Sequence, residues 1–279
     1  FLYKIFIIFF IFCLSLLLIN FLAHIEFSKR MKRANQFLEK LTRIYYRVSN
    51  PKLTKICIYC SLSIFILGLL IGVLIASIFG SQGYQIWYNY ISDLGSIRYT
   101  PAPFILDLIA MITSVLLIPM FIYFADILIR GSVDIILNSK NKILKRIYHG
   151  ILIIIALIGL FWLIVGAVGL FGIGLFSEDR TTELGLHFFF SIVVFLGLAL
   201  GAFFNGIVLL LKKTTFPIIL GIYMILVPIP IGFLFLFPPY PYTEQFLEWM
   251  MFLTDLIWLI YISGFLLKYI KNKEFQSEK

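Results

Sequence analysis

Seven long segments of the chain consist mainly of apolar residues, and shorter stretches rich in polar and charged residues separate them. A helix needs about 20 apolar residues to cross the hydrocarbon core of a bilayer. The segments that meet this requirement are Ile5–Ala23, Ile56–Phe79, Pro103–Ile129, Gly150–Phe176, Leu184–Leu211, Phe216–Phe237 and Phe246–Leu267. The pattern predicts an all-α fold, a polytopic bundle of seven transmembrane helices.

The first apolar segment is near the N-terminus, where a secretory signal peptide would also lie. Its apolar run is longer than the signal-peptide core of roughly 7–15 residues. No small-residue cleavage site precedes the basic stretch that follows it. We therefore predict that Ile5–Ala23 is a true membrane span.

The composition indicates that lipid surrounds most of the chain. Hydrophobic residues fill 61% of the 279 positions and charged residues only 13%, whereas a water-soluble domain carries roughly 25% charged residues. Once the seven spans are assigned, no stretch is left for a separate soluble domain.

Lysine and arginine are distributed unevenly over the connecting loops. Twenty of the 23 lie in residues 29–55, residues 130–146, Lys212 with Lys213, and the tail from Lys268 onward. The other three are Lys4, Arg98 and Arg180. Basic residues are enriched in cytoplasmic loops, so we expect the N-terminus outside and the C-terminus in the cytoplasm.

Residues 1–50 are predicted to form an N-terminal unit, and residues 51–279 a six-span core with a short cytoplasmic tail. Within the first unit, residues 28–48 show apolar positions at helical spacing with basic residues on the other face. Such a helix lies in the membrane interface against anionic headgroups. A docking site for a membrane protein partner is the alternative. Nucleic acid is not expected as a partner, because the basic loops that flank the spans account for the net charge of +9.

Small residues recur at helical spacing in several predicted spans. Examples are Gly68, Gly72 and Ala76 in the second span, Gly166 with Gly169 in the fourth, and Gly197 with Gly201 in the fifth. Small residues allow membrane helices to approach closely. We interpret these faces as contacts within the chain, with an oligomer interface as the alternative. We also expect Pro119 to kink the third span, and Pro228 with Pro230 to kink the sixth.

Ionisable side chains are costly at membrane depth and therefore have partners or a function. Asp255 is the most central, near the middle of the seventh span, whereas Asp107 and Asp126 lie about one turn inside the two ends of the third span.

Further polar side chains occur in and next to the two predicted outer loops. They are the candidate binding residues, namely Asn89, Ser92, Asp93, Glu178, Asp179, Arg180 and His187. His187 follows Glu183 by four residues and shares its helix face. His187, Asp93 and Glu183 are the candidates for acid/base catalysis. In the structural alternative, the aspartates close turns, Glu183 favours the helix N-terminus, and Arg180 and His187 neutralise neighbours.

No metal site and no cofactor are predicted. A catalytic zinc site with three histidines needs its ligands at one depth. His24 and His149 lie near the inner ends of spans, whereas His187 lies at the outer end of another.

Four short motifs occur along the core, namely Tyr90-Ile91-Ser92-Asp93-Leu94-Gly95, Pro103-Phe104, Gly174-Leu175-Phe176-Ser177-Glu178 and Gly185-Leu186-His187-Phe188. In this order they resemble the prokaryotic membrane proteins grouped as domain of unknown function 998. Those are similar to damage-regulated autophagy modulators and to membrane proteins of GPI-anchor lipid remodelling. The resemblance covers roughly residues 55–270.

This resemblance implies a six-helix core in a prokaryotic cytoplasmic membrane, with Ser92, Asp93, Gly95 and His187 at its outer face, and a role related to lipid. It implies no settled catalytic activity. Residues 1–50 are an addition to the six-span pattern.

Three functions follow as expectations. The first is a multi-pass protein that binds or organises membrane lipid without catalysis. The second is an accessory subunit of a larger membrane complex that uses residues 1–50 as the contact. The third is an outer-leaflet lipid hydrolase or transferase, with His187 as acid/base and Asp93 or Glu183 as its orienting carboxylate.

Overall fold

The structure is a computed structural model that describes residues 40, 43–138, 143–182, 184–212, 214 and 216–277. The predicted span Ile5–Ala23 and most of the predicted basic helix over residues 28–48 lie outside the described residues. So do His24 and Glu183. The expectations that rest on them stay predictions.

The described chain folds into long helices joined by short connections. In chain order these are α1 (Pro51–Phe79), a first 3-10 turn (Ser92–Gly95), α2 (Phe104–Asn138), α3 (Ile143–Leu175), a second 3-10 turn (Glu178–Arg180), α4 (Leu186–Leu211), α5 (Ile218–Leu226), α6 (Pro228–Leu236) and α7 (Glu244–Ser277).

Helices α1 to α4, the α5–α6 pair and α7 provide six segments that are long and apolar enough to cross a membrane. They coincide with six of the seven predicted spans, which confirms those six as apolar helices. The fold therefore suits a multi-pass membrane protein. The count of seven and the orientation stay predictions.

Proline and asparagine set the start of α1. The side chain of Asn50 accepts hydrogen bonds from the backbone N–H groups of Lys52, at 2.8 Å, and Leu53, at 3.4 Å. Pro51 occupies the first helical position, where its missing N–H costs nothing. The helix begins five residues before the predicted apolar run, because this cap satisfies the backbone N–H groups of a first turn that precedes the apolar residues.

The predicted kink in the sixth span is confirmed, whereas α2 continues through Pro119 as one uninterrupted helix. Pro228 has no N–H group to continue the hydrogen-bond ladder, so α5 ends at Leu226 and α6 begins at Pro228 itself.

Glycine allows α3 and α4 to pack closely. A Cβ atom added to Gly169 would lie 2.5 Å from the backbone nitrogen of Val194, and one added to Gly197 would lie 2.6 Å from the Cα of Gly166. The small residues of the fourth and fifth spans thus form a contact within the chain, as the first interpretation predicts.

Helix α2 supplies much of the core. Met120, Phe121 and Phe124 of α2 and Trp258 of α7 are almost fully buried. A second apolar cluster, which includes Leu94 and Trp249, lies at one end of the bundle. This end carries the connections 80–103, 176–185 and 237–243, and we call it the long-loop end; the sequence predicts that it faces outward.

Candidate functional site

Asp93 anchors the first 3-10 turn at the long-loop end. Its Oδ2 accepts hydrogen bonds from the backbone N–H of Tyr90, at 3.0 Å, and from the side-chain nitrogen of Asn89, at 3.1 Å. Asn89 in turn accepts from the backbone N–H of Gln85 at 3.0 Å. The Asp93 residue is only 4% exposed. Asn89 and Asp93 are thus brought together, and their contacts order the loop.

Glu178 lies beside Asp93, and the two carboxyl groups share a hydrogen bond. Burial, followed by the negative charge of Asp93, raises the pKa of Glu178 to about 7. Burial also raises the pKa of Asp93. The Oε2 atom of Glu178 is buried and accepts no hydrogen bond from a donor among the described residues. The protonated Glu178 therefore acts as the donor to Asp93, since two adjacent carboxylates repel each other.

Asp179 joins the two 3-10 turns. Its carboxylate accepts from the Ser96 hydroxyl at 2.8 Å and from the backbone N–H of Ile97 at 2.6 Å. The adjacent Arg180 turns toward the membrane helices instead. Its guanidinium forms an ion pair with Asp107 at 2.7 Å and donates to the carbonyl of Gly174 near the end of α3. These two residues therefore stabilise the long-loop end, in line with the structural alternative.

His187 presents a free ring nitrogen. Its Nδ1 lies 2.8 Å from the carbonyl oxygen of Phe176. Because a carbonyl only accepts, Nδ1 carries a hydrogen, and in the neutral imidazole Nε2 then holds the lone pair. The Nε2 atom is buried and has no hydrogen-bond partner among the described residues. The group that orients the ring is thus a backbone carbonyl; the contacts of Glu183, the carboxylate predicted on the same face, fall outside the described residues.

A cavity lies beneath the first 3-10 turn, between α1, α2, α3, α4 and α7. It encloses about 100 Å³, and nearly all of its lining is apolar. Ser92, a predicted binding residue, borders it at the long-loop end. The candidate residues named from the sequence therefore lie mainly above this cavity rather than within it.

Two carboxyl groups of α7, those of Glu248 and Asp255, line the cavity. They are 7% and 5% exposed, respectively. Glu248 accepts a hydrogen bond from the backbone N–H of Ile91 at 3.1 Å, and Asp255 accepts one from the indole N–H of Trp258 at 3.0 Å. Among the described residues that line the cavity, none is a lysine, arginine or histidine.

Thr113 of α2 adds an unsatisfied hydroxyl to the lining. It is 4% exposed, and its Oγ1 has no hydrogen-bond partner among the described residues. A threonine hydroxyl within a helix commonly bonds a carbonyl of the preceding turn. The neighbouring Ser114 does so, donating to the carbonyl of Met111 at 2.7 Å.

Sequence reasoning singled out Asp255 but missed Glu248 and Thr113. Glu248 could have been predicted from the sequence, because it precedes Asp255 by seven residues and residues seven apart lie on the same face of a helix. The signal for Thr113 was absent, because only the packing of α2 against its neighbours decides whether a hydroxyl finds a carbonyl.

In the part of the chain that the structure describes, no group of three or more His, Cys, Asp or Glu side chains is arranged to hold a metal ion. The site thus consists of a carboxyl pair and a histidine at the long-loop end, above an apolar cavity with two acidic side chains. No protein-family model, no curated protein and no solved structure matches the chain.

Proposed function

We propose that this protein binds membrane lipid inside its helix bundle, with the cavity beneath the first 3-10 turn as the binding site. The supporting observation is the cavity itself, because five helices contribute to it and its lining is almost wholly apolar. Binding sites for small apolar molecules are typically concave and mostly apolar, with a few polar groups that orient the ligand.

Two features of the sequence favour the same function. The resemblance to domain of unknown function 998 implies a role related to lipid in a prokaryotic cytoplasmic membrane. The basic loops would contact anionic headgroups at the cytoplasmic face. Under this proposal the long-loop end faces outward, and the cavity lies beneath its loops.

Native mass spectrometry of the protein in a lipid-preserving particle tests this proposal. Ala110 is 1% exposed and lines the cavity, so Ala110→Phe would fill part of it. Val115, on the same helix but 54% exposed, provides the matched control Val115→Phe.

We expect the wild type and Val115→Phe to carry bound lipid and Ala110→Phe to lose it. The melting temperatures of both variants are compared first, to confirm that Ala110→Phe is folded. An unchanged lipid complement in a folded Ala110→Phe would refute the cavity as the binding site.

An outer-leaflet lipid hydrolase or transferase is the second candidate. The free Nε2 of His187, held in place by the bond from Nδ1 to Phe176, is the observation in its favour. A neutral imidazole with one nitrogen fixed is suited to accept a proton at the other.

The comparison of His187→Ala with His187→Gln separates catalysis from structure. Glutamine can keep a donor toward the carbonyl of Phe176 but cannot act as the base. Loss of turnover of added lipid in both variants would support catalysis. Turnover that persists in His187→Gln would refute a catalytic His187.

A further inference from the structure

We infer that the occupant of the cavity is an amphiphile with a cationic amine headgroup, bound at Asp255 and oriented by the Thr113 hydroxyl. This inference rests on the proposed function, since it names the class of molecule that the same cavity takes. It goes beyond that function because an apolar cavity alone does not select a headgroup.

The charge of the lining is the first reason. Asp255 and Glu248 are both acidic, and no basic side chain borders the cavity among the described residues. A carboxyl group in apolar surroundings takes up a proton unless a cation accompanies its negative charge. An amine brought by the ligand supplies that cation, whereas a phosphate headgroup would place like charges together.

The hydrogen-bonding capacity of the lining is the second reason. Trp258 occupies one oxygen of Asp255, which leaves the other oxygen to accept. The Oγ1 of Thr113 is buried without a partner and lines the same cavity. An ammonium group carries three donors and no acceptor, so it matches these unused acceptors. A hydroxyl headgroup provides one donor and no charge.

The positions of the two acidic side chains along α7 determine which of them an entering cation would meet first. Glu248 and Asp255 are two helical turns apart, about 10 Å along the axis. Glu248 contacts the backbone of Ile91 next to the first 3-10 turn, so it lies nearer the long-loop end. A cation that enters from that end would meet Glu248 first and Asp255 at the deeper position.

Two probes of equal chain length test the role of charge. Dodecylamine and dodecanol are titrated into the full-length protein in a nonionic detergent at neutral pH. Binding is followed by intrinsic tryptophan fluorescence, because Trp258 contacts Asp255 directly. Trp258→Phe identifies the part of the signal that comes from this residue.

We expect the wild type to bind dodecylamine at least about tenfold more tightly than dodecanol, since a hydrogen bond to a charged group contributes about 1.5–3 kcal/mol. Asp255→Asn keeps an acceptor for Trp258 but removes the charge. It should reduce the preference to less than about twofold, with unchanged binding of dodecanol. Glu248→Gln should weaken the preference less than Asp255→Asn does.

Equal binding of the two probes by the wild type would overturn the inference but leave lipid binding in place. Retention of the full preference in Asp255→Asn would overturn the role of Asp255. If neither probe binds and Ala110→Phe also leaves the bound lipid unchanged, the proposed function itself fails. The comparison of probes on the wild type needs no substitution, so it remains decisive even if a variant does not fold.

Discussion

Glu178 in the second 3-10 turn shares a hydrogen bond with the buried carboxyl group of Asp93 in the first. The pair joins the connection between α1 and α2 to the connection between α3 and α4. Burial and the charge of Asp93 raise the pKa of Glu178 to about 7 from its ordinary value of 4.5. The folded protein therefore holds this proton at a pH where the unfolded chain has released it.

This difference predicts that stability depends on pH. Between about pH 4.5 and about pH 7 the folded state binds more protons than the unfolded state, so the free energy of unfolding falls as the pH rises. The raised pKa of Asp93 acts in the same direction. Melting temperatures measured across this range should therefore decline toward neutral pH.

Glu178→Gln should reduce this pH dependence, because glutamine can donate to Asp93 without titrating. Glu274→Gln removes a carboxylate near the C-terminal end of α7 and serves as the control for the loss of one negative charge. An identical decline in the wild type and in Glu178→Gln would contradict the assignment of the proton to this pair.

Arg180 and Asp107 form an ion pair at 2.7 Å in which the aspartate side chain is 5% exposed and the arginine side chain 53%. Arg180→Ala leaves a buried carboxylate without its cation. We expect a loss of about 2 kcal/mol in the free energy of unfolding, reduced from the value for fully buried pairs because solvent reaches the guanidinium.

Arg98→Ala is the matched control, since Arg98 lies at the same end of the bundle but is exposed. Its guanidinium lies over the ring of Tyr99, and the structure records no ion pair within 4 Å for it among the described residues. Arg98→Ala should cost less than about 1 kcal/mol. In a double-mutant cycle, Asp107→Asn should recover part of the loss caused by Arg180→Ala. Equal effects of the two alanine variants would show that the ion pair contributes little.

The contact between α3 and α4 predicts different effects of alanine at two glycines of one helix. A Cβ at Gly169 would meet the backbone of Val194 at 2.5 Å, whereas a Cβ at Gly150 would meet nothing within 4 Å. Gly169→Ala should cost about 1–3 kcal/mol, because α4 must shift away. Gly150→Ala should be neutral or stabilise by up to about 1 kcal/mol.

Unfolding in sodium dodecyl sulfate, followed by circular dichroism, gives both free energies. Equal free energies of unfolding for the two glycine variants would contradict the close contact between α3 and α4 at Gly169.

The sequence predicts the six helices well, because a long apolar run has few alternatives in lipid. The ends of the helices are less predictable. Helix α3 begins at Ile143 rather than at Gly150, since the helix continues past the apolar run through Lys145 and Arg146. Such residues can lie in the headgroup region, and no break in helical propensity marks the edge of the membrane.

The polar contacts of the site are less predictable still. The sequence indicates that Asp93, Glu178, Arg180 and His187 lie near one face, but it does not say which of them touch. Arg180 pairs with Asp107 inside a span, and His187 binds a backbone carbonyl. These partners depend on how the helices are arranged in three dimensions.

Residues 43–48, near the end of the predicted N-terminal unit, contact the core. Tyr45 is buried, and its hydroxyl donates to Asp126 of α2 at 2.8 Å; Asp126 also forms an ion pair with Arg130 at 2.5 Å. A truncation that removes residues 1–39 therefore retains this contact and should leave the six-span core folded.

If the part of residues 1–50 that precedes residue 40 holds a partner subunit, this truncation should release a protein that co-purifies with the full chain, while the melting temperature changes little. Tyr45→Phe is the control for the core contact. It removes the hydrogen bond to Asp126, so it should lower the free energy of unfolding by about 1 kcal/mol and leave the partner bound. An unchanged set of co-purified proteins after truncation would argue against a subunit contact, and residues 1–39 would then be expected to interact with lipid alone.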